Sequence, residues 1–286
     1  MRPSARWLSL PLPAVLSAVL PAILASAAVA QGPGDLMVTP TRITLDDTRR
    51  SAEVNLMNNG DKPATYRLSL IRRRMDENGR LIPVNDPLPG EKFAEDLIRF
   101  APRQVTLPPR SGQVVRVQLR LPAQVETGEY RCNLLFRAIP DTSPLPTGEP
   151  APANGLSVRL TPVYGVSIPL IVRHGAVSAT VALADLKTET GPEGALLLSG
   201  AFLREGNGSV YGDLQVTFTP AGNGKPVPVG LSNGMAVYVP NPVRYFTLPL
   251  KPPAGRRPSQ GTLTVTYREP ATEGGRILAE KTLTVP

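Results

Sequence analysis

Residues 155–175 read GLSVRLTPVYGVSIPLIVRHG. From Leu156 to Val172 every second residue is apolar: Leu156, Val158, Leu160, Pro162, Tyr164, Val166, Ile168, Leu170 and Val172. Alternation at period two is the signature of a β-strand with one buried face, because successive side chains on a strand point to opposite sides. The run is nonetheless about three times the usual strand length, and it contains Pro162 and Pro169. Proline has no N–H to donate, which confines it mainly to edge strands. The two prolines therefore place the stretch at a sheet edge, or facing an edge along those positions. A long apolar edge is an aggregation hazard, and two readings of it stay open. The strand adds a strand of another chain, with backbone hydrogen bonds giving affinity and alternate side chains giving specificity; or it is an ordinary core strand whose apolar face completes its own sandwich.

The rest of the chain carries the same period. Helical signals are almost absent after residue 30, and short alternating segments are separated by Pro, Gly, Asn and Asp. Strands are expected near 36–45 (LMVTPTRITL), 51–57, 64–74 (ATYRLSLIRRR), 80–83, 97–100, 104–107, 113–121, 129–139 and 156–173. Asn58-Asn59-Gly60-Asp61, Asp76-Glu77-Asn78-Gly79 and Pro108-Pro109-Arg110-Ser111-Gly112 supply turn chemistry between them. The second half repeats the pattern at 176–184, 195–204, 212–219, 226–231, 234–239, 244–250, 260–268 and 276–285. Many short strands at this spacing describe an all-β protein of two immunoglobulin-like β-sandwich domains, 31–174 and 175–286. The linker at His174-Gly175 is short enough to hold the two at a fixed angle. Residues 140–155 (PDTSPLPTGEPAPANG) are Pro-rich and polar and read as a loop.

Residues 1–30 read as a secretory signal peptide: Arg2 and Arg6, an apolar segment from Trp7, and an A-x-A cleavage signal at Ala28-Val29-Ala30. No later segment reaches the ~20 apolar residues that span a bilayer, so an exported protein with no membrane span after cleavage is expected. Without Arg2 and Arg6, 29 basic residues face 23 acidic ones, a net charge of +6. The charge is scattered, and aromatics make up only 5% of the chain. Nucleic-acid binding, which pairs basic surface with aromatic platforms, is not expected. Cys132 is the single cysteine, so no intrachain disulfide holds the domains together; it lies in the strand-like run YRCNLLFRAI and reads as a small core residue.

Enzymatic constellations are missing. His174 is the only histidine, which excludes metal sites built on several imidazoles. Neither a nucleophile elbow nor a phosphate-binding loop occurs. Asp46-Asp47 and Glu95-Asp96 are adjacent pairs that a strand would point to opposite faces. Asn207-Gly208-Ser209 fits a glycosylation sequon but also a hairpin turn. A binding protein without catalytic residues, cofactor or metal is expected.

Several pieces, in order, carry a resemblance to a known family. They are VTPTRITLDD, AEVNLMNNGDKPATYRLSL, IRFAPRQVTLPPRSGQVVRVQLRLP and GEYRCNLLFRAIP, then a variable loop and the long strand ending in IPLIVR. Over roughly residues 36–175 the chain resembles the periplasmic PapD-like chaperones of the chaperone–usher pathway. The resemblance implies a chaperone that binds unassembled pilus, fimbrial or surface-fibre subunits by donor-strand complementation and delivers them to an outer-membrane usher, without nucleotide. It implies that Leu156, Val158, Leu160, Pro162 and Tyr164 enter the subunit's incomplete core. Burying five such side chains contributes on the order of 10 kcal/mol before ordering costs.

The resemblance further implies that Arg42, in TPTRITL, grips the subunit's terminal carboxylate, a task suited to a guanidinium's paired donors. The family's second cation, a lysine on the long strand, falls on Pro169. Either Arg42 acts alone, another arginine such as Arg131 substitutes, or the carboxylate is not the anchor. Glu129 and Arg173 match an ion pair that holds the domain angle. They also open and close strands expected to be antiparallel neighbours, which would bring them together near the junction. The alternative of a different class is an exported two-domain adhesin or carbohydrate-binding module. Such a module would present exposed aromatics on one face, and the single tryptophan lies in the signal segment.

Overall fold

The computed structural model describes residues 35–140, 163–222, 224–252 and 260–285. Eleven strands belong to the first half: β1 (Leu36–Thr39), β2 (Ile43–Asp46), β3 (Ser51–Asn58), β4 (Ala64–Ile71), β5 (Arg73–Met75), β6 (Leu81–Pro83), β7 (Ile98–Ala101), β8 (Gln104–Leu107), β9 (Gly112–Leu119), β10 (Gly128–Ile139) and β11 (Gly165–His174). Seven follow: β12 (Ala179–Thr190), β13 (Leu196–Gly206), β14 (Val210–Pro220), β15 (Val227–Val237), β16 (Val243–Leu250), β17 (Gly261–Arg268) and β18 (Ile277–Val285). Among the described residues no helix is long and apolar enough to cross a membrane.

Two β-sandwiches result. In the first, a sheet ordered β1-β3-β9-β7 packs on one ordered β2-β11-β10-β4-β8. Alternate residues of both sheets, among them Val54, Val115, Val117, Leu134, Phe136, Leu170 and Val172, fill one core. In the second, β12-β13-β16 packs on β15-β14-β17-β18, around Leu198, Phe202, Leu214, Val216, Leu263, Val265 and Tyr267. Cys132 lies in the first core at 2% exposure. Burial pushes its thiol up to about 12, so it packs as a small apolar residue.

Several strand boundaries differ from those the sequence suggests, among them β12, which runs to Thr190 where 184 was expected. LMVTPTRITL is two strands, because Pro40 cannot continue a ladder; β1 pairs with β3 in one sheet and β2 with β11 in the other. The segment 64–74 breaks at Arg72, where the chain leaves the sheet to form the β5–β6 hairpin. Residues 227–237 form one strand rather than parts of two, since Gly234, at φ 69°, absorbs an irregularity without ending the pairing with β14.

The β5–β6 hairpin reaches from the first sandwich to the second. Asp76 Oδ1 accepts from the N–H groups of Asn78 and Arg80, which shapes the turn. The side chain of Asn241 donates to Met75 O at 2.6 Å, and Tyr245 N donates to Glu77 O at 2.7 Å. Gly79, at φ 81°, lies against the Arg244 guanidinium so closely that a Cβ would come within 2.5 Å of it. At the hairpin's base Arg74 grips the carboxylate of Glu91, with Nη2 2.6 Å from Oε2, and Arg72 pairs with Glu95.

Candidate functional site

The backbone of β11 is divided by parity. Ala138 N donates to Tyr164 O at 2.9 Å, and in an antiparallel ladder such bonded pairs recur at every second residue. Even-numbered residues of β11 therefore bond to β10, and the backbone polar groups of Gly165, Ser167, Pro169 (its C=O alone), Ile171 and Arg173 face the other way. There β2 lies parallel to residues 170–173. At 165–169 no strand of the described residues pairs with that side. Pro169 stands where its missing N–H would face the open edge, one residue before the parallel ladder begins. An edge along the whole stretch is not what forms: residues 165–169, Pro169 among them, face an open edge, as the second of the two placements had it, and 170–173 are interior because β2 covers them.

Side-chain parity places the apolar row. Leu170 and Val172 are fully buried in the first core, and Ile168 is 3% exposed. Toward the amino-terminal end the same row leaves the core: Val166 is 38% exposed and Tyr164 47%. Leu156, Val158, Leu160 and Pro162, and nearly all of the Pro-rich segment 140–155, lie outside the described residues.

The opposite face of the same sheet looks toward the second sandwich. Its apolar contact is made by Ile171, Met75, Ala236 and Tyr238. Two guanidiniums flank Tyr238: that of Arg131 stands 4.6 Å from the ring centre and that of Arg42 5.8 Å. Arg42 also lies 4.3 Å from the Tyr211 ring, and its Nη1 is 3.5 Å from the Tyr238 hydroxyl. Arg131 Nη2 donates to Val239 O at 2.7 Å. Burial lowers the pKa of Arg131, and the charge of Arg42 adds to this, while Glu129, Tyr238 and Glu91 oppose it. Burial raises that of Tyr238. Arg42 also lines an open cavity of about 680 Å³ between the sandwiches, together with Thr44, Arg173, Ser209, Tyr211 and Arg276.

Donors are left over on this face. The Nε atoms of Arg42 and Arg131 and the Nδ2 of Asn133 are buried without a hydrogen-bond partner. Arg131 and Asn133 are only 7% and 5% exposed, and Asn133 is the cross-strand neighbour of Pro169. A buried donor without an acceptor costs on the order of 1–3 kcal/mol. A carboxylate, which only accepts hydrogen bonds, is the group such a set of donors suits.

At the junction Glu129 and Arg173 are cross-strand partners and are joined, Arg173 Nε donating to Glu129 Oε2 at 3.1 Å. The Glu129 carboxylate is fully buried. It also accepts from Ser209 N at 2.9 Å and from the Ser209 hydroxyl, which in turn accepts from Val239 N at 3.0 Å. Arg173 Nη2 donates to Ser209 O at 2.9 Å. The pair from the first sandwich is therefore tied to the second through one serine. Asp47, just past β2, fixes the end of β11 and the start of the linker: its Oδ1 is 2.7 Å from His174 Nδ1, and Gly175 N donates to its Oδ2.

No protein-family model matches the sequence, and no curated protein matches it. Among solved structures the chain is similar to the YadV chaperone, at 11% identity over 88% of this chain and 100% of that one, with a TM-score of 0.44. It is similar to the periplasmic chaperone SfaE at 13% identity, over 87% and 98% of the two chains, TM-score 0.40. A third is the CsuC–CsuE chaperone–tip adhesion subunit pre-assembly complex of Acinetobacter baumannii, at 10% identity over 87% and 97%, TM-score 0.43.

Asn133, Ser209 and Tyr238 escape a reading of the sequence alone. Asn133 and Arg131 leave a trace: in YRCNLLFRAI they stand, with Arg137, at odd-numbered positions that alternate with the core residues Cys132, Leu134, Phe136 and Ala138. Polar residues that share one parity on an otherwise apolar strand mark its second face. Ser209 sits in a turn whose glycines suggest only a change of direction, and nothing in the local sequence links Tyr238 to a strand some 70 residues earlier.

Proposed function

We propose that this protein is an exported, periplasmic chaperone that binds unassembled pilus, fimbrial or surface-fibre subunits by donor-strand complementation. The observation that carries this reading is the apolar row of β11, which is buried at residues 168–172 and stands open at Val166 and Tyr164 beside an unpaired backbone edge. A client that lacks a strand gains both missing elements there: backbone partners from Gly165 and Ser167, and apolar side chains to fill its core. Leu156, Val158, Leu160 and Pro162 continue the row by parity. The donors of Arg42, Arg131 and Asn133 suit the client's terminal carboxylate, and Pro169 between them leaves room for it. On this reading the role is binding rather than catalysis, and an outer-membrane usher receives the loaded subunit.

Co-expression with fibre subunits tests the proposal. The wild-type chain should co-purify one-to-one with a subunit. Val166→Asp should abolish that complex while leaving the melting temperature of the free protein unchanged, because Val166 is already partly in water. A Val166→Asp protein that still holds its subunit would refute the assignment of β11 as donor.

A further inference from the structure

A row of residues runs across the sheet from the open edge of β11. Gly165 is opposite Arg137 on β10, Arg137 is opposite Arg67 on β4, and Arg67 is opposite Gln104 on β8. Both arginines are exposed, and among the described residues neither guanidinium has a hydrogen bond or ion pair. Like charges directly opposite one another destabilise a sheet, and the row holds no carboxylate to relieve them. Gly165 and Arg137 form a non-hydrogen-bonded pair, the closer of the two cross-strand spacings, and Gly165 carries no side chain. Arg137 can therefore extend over Gly165 to whatever lies beyond the edge, where the backbone N–H and C=O of Gly165 face outward.

From this arrangement we infer that the strand added at the β11 edge carries an acidic side chain on its polar face, opposite Gly165, which pairs with Arg137 and relieves its repulsion with Arg67. The inference rests on the donor-edge reading above and adds a register and a charge to it. Apolar side chains of the partner strand face the same side as Val166 and Tyr164; the acidic one faces the side of Arg137. A Cβ at 165 would come within 3.3 Å of Leu135 Cδ1, so a larger residue there would crowd Leu135 and the path by which Arg137 reaches the edge. Selection among edge-accepting partners is then made by charge, which shows in salt dependence.

The test uses the full chain and two twelve-residue peptides that alternate valine and threonine, acetylated and amidated so that no terminal charge contributes. One carries aspartate at a central polar-face position and the other lysine. The aspartate peptide should bind about fivefold more tightly at low salt, with the difference fading at high salt. Arg137→Gln should abolish the preference, and Arg137→Glu should reverse it. Equal binding of the two peptides, or a preference that survives Arg137→Gln, overturns the inference and leaves the edge reading standing. Failure of both peptides to bind would instead remove the edge reading, and the inference with it.

Discussion

Glu91 keeps only 2% of its side chain in water, and Arg74 holds it from the adjacent strand segment. The hydrogen bond from Arg74 holds its carboxyl below the ordinary 4.5; the Leu88 N–H helps, and burial opposes. As pH falls, the unfolded chain takes up its proton first. The stabilisation is therefore complete above the ordinary value and is lost as pH drops through the lower, folded one. Glu91→Gln should cost about 2 kcal/mol at neutral pH. That gap from wild type should narrow as pH falls below the ordinary 4.5, as followed by urea unfolding at each pH. A gap independent of pH would mean that the charge on Glu91 is irrelevant to its role. Arg72–Glu95, beside it, ties the same hairpin base to the first sandwich.

The hairpin itself acts as a strap, because its turn bonds the edge of the second sandwich while its base is held by ion pairs of the first. Gly79→Val would force a side chain onto a positive φ and into Arg244. Hydrogen exchange at the Tyr245 amide, whose acceptor is Glu77 O, should then accelerate by at least about tenfold, while the central β14 and β17 amides remain protected. Unchanged protection at Tyr245 would show that the turn is a passenger. The sequence makes Asp76-Glu77-Asn78-Gly79 recognisable as a turn, since an Asx-type residue and a glycine encode local geometry. It does not reveal what the turn touches, because that depends on packing across some 165 residues. The same division runs through the whole chain. The two sandwiches, the core face of β10 and β11 and the Glu129–Arg173 neighbourhood are legible, being set by period-two patterning and antiparallel order. The coverage of residues 170–173 by β2, the role of Ser209 and the buried amide of Asn133 are not, because each is created by a distant element.

For the molecule as a whole, Tyr238 is the point at which the two cores meet. It shares a buried apolar cluster with Met75 and Ile171 of the first sandwich and Ala236 of the second, with Arg42 and Arg131 at its ring. Removing it in Tyr238→Ala should cost about 3 kcal/mol and split calorimetric unfolding into two transitions, one per sandwich. Tyr238→Phe, which keeps the ring, should retain a single transition; one transition in both variants would show that the sandwiches are coupled elsewhere. Cys132 supplies an internal clock for such experiments. Its thiol is sealed beneath the β10–β11 ladder and held protonated, so an alkylating reagent in the buffer finds no nucleophile until the first sandwich opens. The rate at which a single label is gained then reports how often this half of the chain comes apart, with no dye or engineered residue needed.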